Sequence, residues 1–211
     1  MNIRTIVKAT LLLLMPIGCA SILGIEDAEL KEGGSTNTDG SGGSAGGGAE
    51  PTLCETYCDT VTENCPGNLA VYSSLAQCLQ LCLTIPEGAP GDVSEDTIHC
   101  RLHQAKAAGE TLEPADHCPS AGLGGADVCG ANCDALCRAM GEFCSDKHAS
   151  NAACLDDCES LEDLGGFNVT QDAGKTVQCR IWHVGAATQV VEPHCSHAAG
   201  ADQCGRDASE E

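Results

Sequence analysis

The chain has 211 residues, with 31 acidic against 10 basic side chains and a formal net charge of −21. Seventeen cysteines stand beside only five aromatic residues, Tyr57, Tyr72, Phe143, Phe167 and Trp182. So few aromatics exclude a large conventional core and call for covalent staples, and so negative a charge excludes nucleic acid as a partner, because phosphate binding needs clustered Lys and Arg.

Arg4 and Lys8 precede an apolar stretch over residues 9–17, shorter than the roughly 20 residues a membrane-spanning helix requires. Gly18-Cys19-Ala20-Ser21 follows at once. A small residue, Cys and further small residues at that place resemble a bacterial lipoprotein box. The resemblance implies a signal peptide over residues 1–18 and a lipid on Cys19 as the mature N-terminus. The membrane is then a partner, and Ala20, where an inner-membrane lipoprotein carries Asp, implies the outer membrane. Parity agrees, since sixteen cysteines remain once Cys19 is set aside. The rival reading is ordinary cleavage after Ala20 and secretion. Both routes deliver the cysteines to an oxidising compartment.

Residues 19–52 read as anchor and linker. Eight of the sixteen residues 33–48 are Gly, and the rest are small or polar, so the segment buries no apolar surface and is expected to be a flexible tether about 30 Å in typical span. No GxxxxGK[ST] motif or flanking apolar strand turns this Gly run into a phosphate cradle.

The cysteines beyond the linker fall into two sets of eight. Cys54, Cys58, Cys65, Cys78, Cys82, Cys100, Cys118 and Cys129 are spaced 4, 7, 13, 4, 18, 18 and 11 residues apart. Cys133, Cys137, Cys144, Cys154, Cys158, Cys179, Cys195 and Cys204 are spaced 4, 7, 10, 4, 21, 16 and 9. Cys100-Arg101-Leu102 matches Cys179-Arg180-Ile181, and Ala107-Ala108 matches Ala186-Ala187. Glu113-Pro114 ahead of His117-Cys118 echoes Glu192-Pro193-His194-Cys195. The chain therefore carries two tandem units, residues 53–130 and 131–211.

Each unit reads as all-α, with about three short helices. Cys54, Tyr57, Cys58, Val61 and Cys65 lie on one helical face, as do Cys133, Leu136, Cys137, Met140 and Cys144. Thr52 with Glu55, and Ser74 with Gln77, form capping-box patterns ahead of the first two helices. Leu75, Cys78, Leu79 and Cys82 make the second stripe, and Cys154, Leu155, Cys158 and Leu161 its counterpart. Ile98, Leu102 and Ala105, ending near Gly109, make the third, matched by Val177, Ile181 and Val184. Nothing alternates with the period of a strand.

The first two helices of each unit resemble the twin-CxxxC hairpins of small mitochondrial intermembrane-space chaperones and plant hairpin peptides. The resemblance implies the rungs Cys54–Cys82 and Cys58–Cys78, then Cys133–Cys158 and Cys137–Cys154. Short Gly-rich loops favour Cys118–Cys129 and Cys195–Cys204, which leaves Cys65–Cys100 and Cys144–Cys179. Eight cysteines admit 105 pairings in all. All sixteen are read as disulfide partners.

No CxxC occurs, which speaks against a thioredoxin-type site, a zinc ribbon or an iron–sulfur site, and no CxxCH binds haem. Seven histidines are present: His99, His103, His117, His148, His183, His194 and His197. His117 and His194 are read as polar loop residues bonded to nearby backbone. Zinc at His194-Cys195-Ser196-His197 is a competing reading, weakened because Cys195 belongs in a bridge. Arg101 and Arg180 read as core-edge salt bridges, and Trp182 as a packing residue. Asp156, Asp157, Glu159, Glu162 and Asp163 read as a solvated helical face. No GxSxG, HExxH or GxGxxG is present. No catalytic residue, metal or cofactor is assigned.

Over its whole length the chain resembles the cysteine-rich lipoproteins of myxobacteria. The resemblance rests on Gly18-Cys19-Ala20, Leu23-Gly24-Ile25-Glu26-Asp27-Ala28, the low-complexity linker, and the Cys-Arg and His-Cys motifs of both units. It implies no activity. Some such chains carry the enzyme name tryptophan synthase alpha chain, but about 160 folded residues with no βα alternation cannot build that enzyme's eight-stranded barrel. The expectation is an exported envelope protein presenting a binding or structural module to an envelope or extracellular protein or glycan. The alternative is a small exported enzyme, or a metal or redox protein, using the His-Cys motifs.

Overall fold

Helix caps set where each helix starts. In the computed structural model, which describes residues 50–205, α1 (Leu53–Asn64) opens on a reciprocal capping box. The Thr52 Oγ1 accepts from the Glu55 N–H, and the Glu55 carboxylate accepts from the Thr52 N–H at 2.7 Å. Ser74 caps α2 (Leu75–Cys82) by accepting from the Gln77 N–H. Here the return arm differs from a capping box, because the Gln77 carbonyl oxygen accepts from Ser73. Thr97 caps α3 (Ile98–Glu110), and α4 (Cys118–Ala121) follows.

The second half repeats this order with α5 (Asn132–Phe143), α6 (Asn151–Cys158), α7 (Val177–Ala187) and α8 (Val191–Ala198). Ser150 and Thr176 cap α6 and α7 as Ser74 and Thr97 cap α2 and α3. The fold is small, disulfide-rich and all-α, with no strand among the described residues beyond one isolated bridge between Glu162 and Thr176. Each half holds four helices, one more than the stripes predict. The His-Cys segments, expected as loops, form α4 and α8. Leu161 lies past the end of α6, which stops at Cys158. The stretch read as a signal peptide, Cys19 and the linker as far as residue 49 fall outside the described residues.

All sixteen cysteines from Cys54 to Cys204 are bridged. Cys54–Cys82 and Cys58–Cys78 join α1 to α2, and Cys133–Cys158 and Cys137–Cys154 join α5 to α6. These are the rungs that the hairpin resemblance implies. The remaining pairs differ from expectation: Cys65–Cys118 and Cys100–Cys129, with Cys144–Cys195 and Cys179–Cys204 as their counterparts. The reason is how α1 meets α3. The Asn64 side chain at the end of α1 donates to the Ala105 carbonyl, and Gly109 leaves room for it where a Cβ would lie 2.6 Å from Asn64. Cys100 sits five residues before Ala105, about 7.5 Å further along the helix, beyond reach of Cys65. Cys65 is left facing α4, and the segment after α4 returns Cys129 to the start of α3.

No bridge joins residues 54–129 to residues 133–204, yet the halves share one core. The described residues 50–205 lie in one compact unit. Tyr57, Leu81 and Leu123 from the first half belong to the same buried cluster as Leu136, Met140 and Ile181 from the second. Gly185 lets α7 approach α2, where a Cβ would meet the Gln77 amide nitrogen at 2.7 Å. The Val169 N–H donates to the Ala70 carbonyl at 2.8 Å. Arg138 forks onto Asp96 at 2.7 and 3.2 Å, and Asp96 also pairs with Arg101 at 2.8 Å. Burial opposes ionisation of Asp96, but the Arg138 hydrogen bond and the Arg101 and Arg138 charges hold its carboxyl below the usual range. A backbone cut near residue 131 would therefore leave two halves still held by this interface.

Candidate functional site

The segment Thr-x-x-Cys-Arg starts the third helix of each half, at Thr97–Arg101 and Thr176–Arg180. Its arginine is structural. Arg101 is fully buried, and its guanidinium donates to the carbonyls of Gly122 (3.0 Å), Thr97 (3.2 Å) and Leu123 (2.7 Å). It thereby binds the turn after α4 to the head of α3. Arg180 is nearly as buried and pairs with Asp157, but its Nε lacks a hydrogen-bond partner. Both are salt-bridged as the sequence predicts, though Arg101 lies in the core rather than at its edge.

Four residues beyond the cysteine of that segment, the third helix faces the fourth. In the first half Gln104 Oε1 meets His117 Nδ1 at 2.8 Å. A carbonyl oxygen only accepts, so His117 Nδ1 carries the proton. In the second half the equivalent positions are His183 and His194, and their Nδ1 atoms lie 2.9 Å apart. His183 Nε2 also meets the Asp172 carbonyl at 3.2 Å. The Asp172 contact places the His183 proton on Nε2 and leaves a lone pair on Nδ1, so His194 Nδ1 is the donor in the pair. The partners of His117 and His194 are therefore side chains of the third helix, not the nearby backbone expected from the sequence.

His197 completes a cluster. It stands one turn beyond His194 on α8, and its ring crosses that of His183 with centroids 4.7 Å apart. One ring nitrogen from each of His183, His194 and His197 lies within 4.8 Å of the others. His197 Nε2 reaches Asp202 Oδ2 at 3.5 Å, while its Nδ1 is buried without a hydrogen-bond partner. Burial, then the adjacent His197, pushes the His183 imidazole down to about 4, and the same two causes lower His194. His183 is thus neutral near pH 7, its Nδ1 lone pair accepting from His194. Trp182 closes one side, its centroid 4.7 Å from His183 and 5.7 Å from His194, with its indole N–H on the Val169 carbonyl.

Two bridges anchor the cluster. Cys144–Cys195 fastens α8 between its two histidines, and Cys179–Cys204 fastens α7 one turn before His183. Cys179 and Cys204 also approach His183, but as a disulfide they offer no thiolate. Cys195, considered with His194 and His197 as a zinc ligand, is likewise bridged. His183 was the residue missed, because it lies on a different helix. Its signal was the alignment of the two units, which sets His183 against Gln104 and His197 against Ser120.

The acidic run divides. Asp156, Glu159 and Glu162 are exposed, as a solvated face should be. Asp157 pairs with Arg180, and Asp163 accepts from Asn132 (2.9 Å) and Gln178 (2.6 Å). His99, His103 and His148 stand apart from the cluster.

Fold and bridges define the class: a cysteine-rich, disulfide-bonded helical domain of extracellular type. Residues 44–132 match the family described as the BfoA family C-terminal domain. That stretch contains the whole first cysteine set and none of the second, and it is less than half the chain. It is the part to which that family is similar, and it fits a cysteine-rich family. No curated protein and no solved structure matches the chain.

Proposed function

We propose that the chain is an exported, lipid-tethered protein of the cell envelope. Its helical head serves as a binding or structural module for an envelope or extracellular protein or glycan. One observation carries the reading: every cysteine from Cys54 to Cys204 is committed to a bridge within the head. Eight bridges place the protein in oxidising, extracytoplasmic surroundings. Cys19 is then the one cysteine outside that set, at the end of a short apolar segment, where lipid attachment would use it. No helix among the described residues is long and apolar enough to cross a membrane. Outer-membrane destination follows from Ala20 after Cys19, and the Gly-rich linker supplies the standoff. A head in which every helix carries at least one bridged cysteine loses little freedom on binding, so it presents a fixed surface.

Mass spectrometry of the mature N-terminus tests the tether. The expected species begins at a lipid-modified Cys19, and Cys19→Ser abolishes partitioning into detergent. An unmodified N-terminus at Ser21, or wild-type protein free in the medium, contradicts it. For the head, capture of an envelope partner should require the oxidised form and be lost on reduction.

A further inference from the structure

We propose that His183, His194 and His197 bind one divalent transition ion of the Zn2+ or Cu2+ class. The inference does not depend on the tether or on the partner of the head.

Two imidazole nitrogens on a tetrahedral ion at about 2.0–2.1 Å from each stand roughly 3.3 Å apart. His183 and His194 present theirs at 2.9 Å, and His197 offers a third nitrogen within 4.8 Å. Outward contacts hold two of the rings. The Asp172 carbonyl accepts from Nε2 of His183, which leaves its Nδ1 facing His194, and Asp202 stands at Nε2 of His197. Such outer contacts orient metal-binding histidines generally. His197 Nδ1 is buried without a hydrogen-bond partner, and coordination would satisfy it.

The first half shows what the fold itself demands at these positions. There, Gln104 and His117 make the contact between third and fourth helices, and Ser120 occupies the place of His197. The same scaffold therefore closes with one histidine. The second half carries three, arranged between two disulfide-fixed helices, which is the preorganisation an ion site requires. Three imidazoles without a thiolate or carboxylate cage select Zn2+ or Cu2+ over Ca2+ or Mg2+, which prefer oxygen. His194 and His197 are partly exposed, so water can enter and fill a fourth position.

The test titrates the fully oxidised, chelator-washed chain with Zn2+ alone and, separately, Cu2+ alone. One ion per chain is expected for at least one of the two. His183→Gln/His197→Ser, which installs the residues of the first half, should weaken binding by about a hundredfold or more. His117→Gln should leave it unchanged. Imidazole 15N spectra of the wild type give a readout independent of any variant's folding: the ion should move the His194 proton from Nδ1 to Nε2. Absence of binding by both ions at micromolar concentration overturns the proposal. So does undiminished binding in the double variant, or a His194 tautomer unchanged by the bound ion.

Discussion

The first half joins its third and fourth helices through Gln104 and His117, and the second through His183, His194 and His197. Around these positions the bridges, the N-cap threonines and the buried arginine repeat. The difference shows how a duplicated disulfide scaffold can diverge. Once bridges and arginine hold the helices, the polar positions between them can change without loss of the fold. One copy keeps a plain structural contact, while the other collects donors at the same place.

The largest effects should be symmetric. Replacing Cys65 and Cys118 together by Ala releases a 53-residue separation, and replacing Cys144 and Cys195 releases 51. Loop-closure entropy puts each loss at about 4 kcal/mol, against about 3 kcal/mol for the 17-residue Cys137–Cys154 pair. Denaturant unfolding should show one transition in each variant, because the halves share a core. Two separate transitions would break the comparison by making the halves independent.

The arginines should be unequal. Arg101→Met strands several buried carbonyls and should cost about 3 kcal/mol or more. Arg180→Met, whose native partner Asp157 is partly exposed and whose Nε is already unpaired, should cost about 1–2 kcal/mol. Equal losses would mean that the two copies use this residue alike.

The first helices differ in their caps. Thr52 with Glu55 caps α1, whereas Ala131 gives α5 no side-chain cap although Asp134 stands three residues on. Thr52→Ala should lower stability by about 1 kcal/mol, and Ala131→Ser should raise it by up to about 1 kcal/mol. Thermal melting of the two single variants reads this directly.

Acid should act on the junction between halves, with the smallest effect. Asp96, between Arg101 and Arg138, has a carboxyl held below its ordinary value of 3.8. A carboxyl lowered in the folded state stabilises fully above the unfolded value, and that contribution is lost as pH falls through the folded one. Stability should therefore drop below about pH 4, and Asp96→Asn should make that part of the pH profile flatter. An unchanged slope in the variant would show that the junction does not depend on this ion group.

Much of the fold was legible because its signals are local. Helical stripes of Cys, Leu and Val and the Thr52 and Ser74 caps need only neighbours within a turn or two. The crossed pairing of Cys65 with Cys118 was not legible, since it depends on the end of α1 meeting the middle of α3. Nor were α4 and α8, whose sequences are short and interrupted by Pro119 and Pro193. The histidine site was half visible: His194 and His197 stand three apart in the sequence, but only packing brings His183 to them. The shared core also escaped, because its contacts at Gly185, Ala70 and Asp96 join positions far apart along the chain.

The central claim is one helical head built from two self-closed disulfide frameworks. Proteolysis under non-reducing conditions, with mass spectrometry of the linked peptides, tests it most directly. Eight bridges are expected, among them Cys65–Cys118, Cys100–Cys129, Cys144–Cys195 and Cys179–Cys204, with no titratable thiol from Cys54 to Cys204. A peptide linking any of residues 54–129 to any of residues 133–204, or a free thiol among those sixteen, would contradict it.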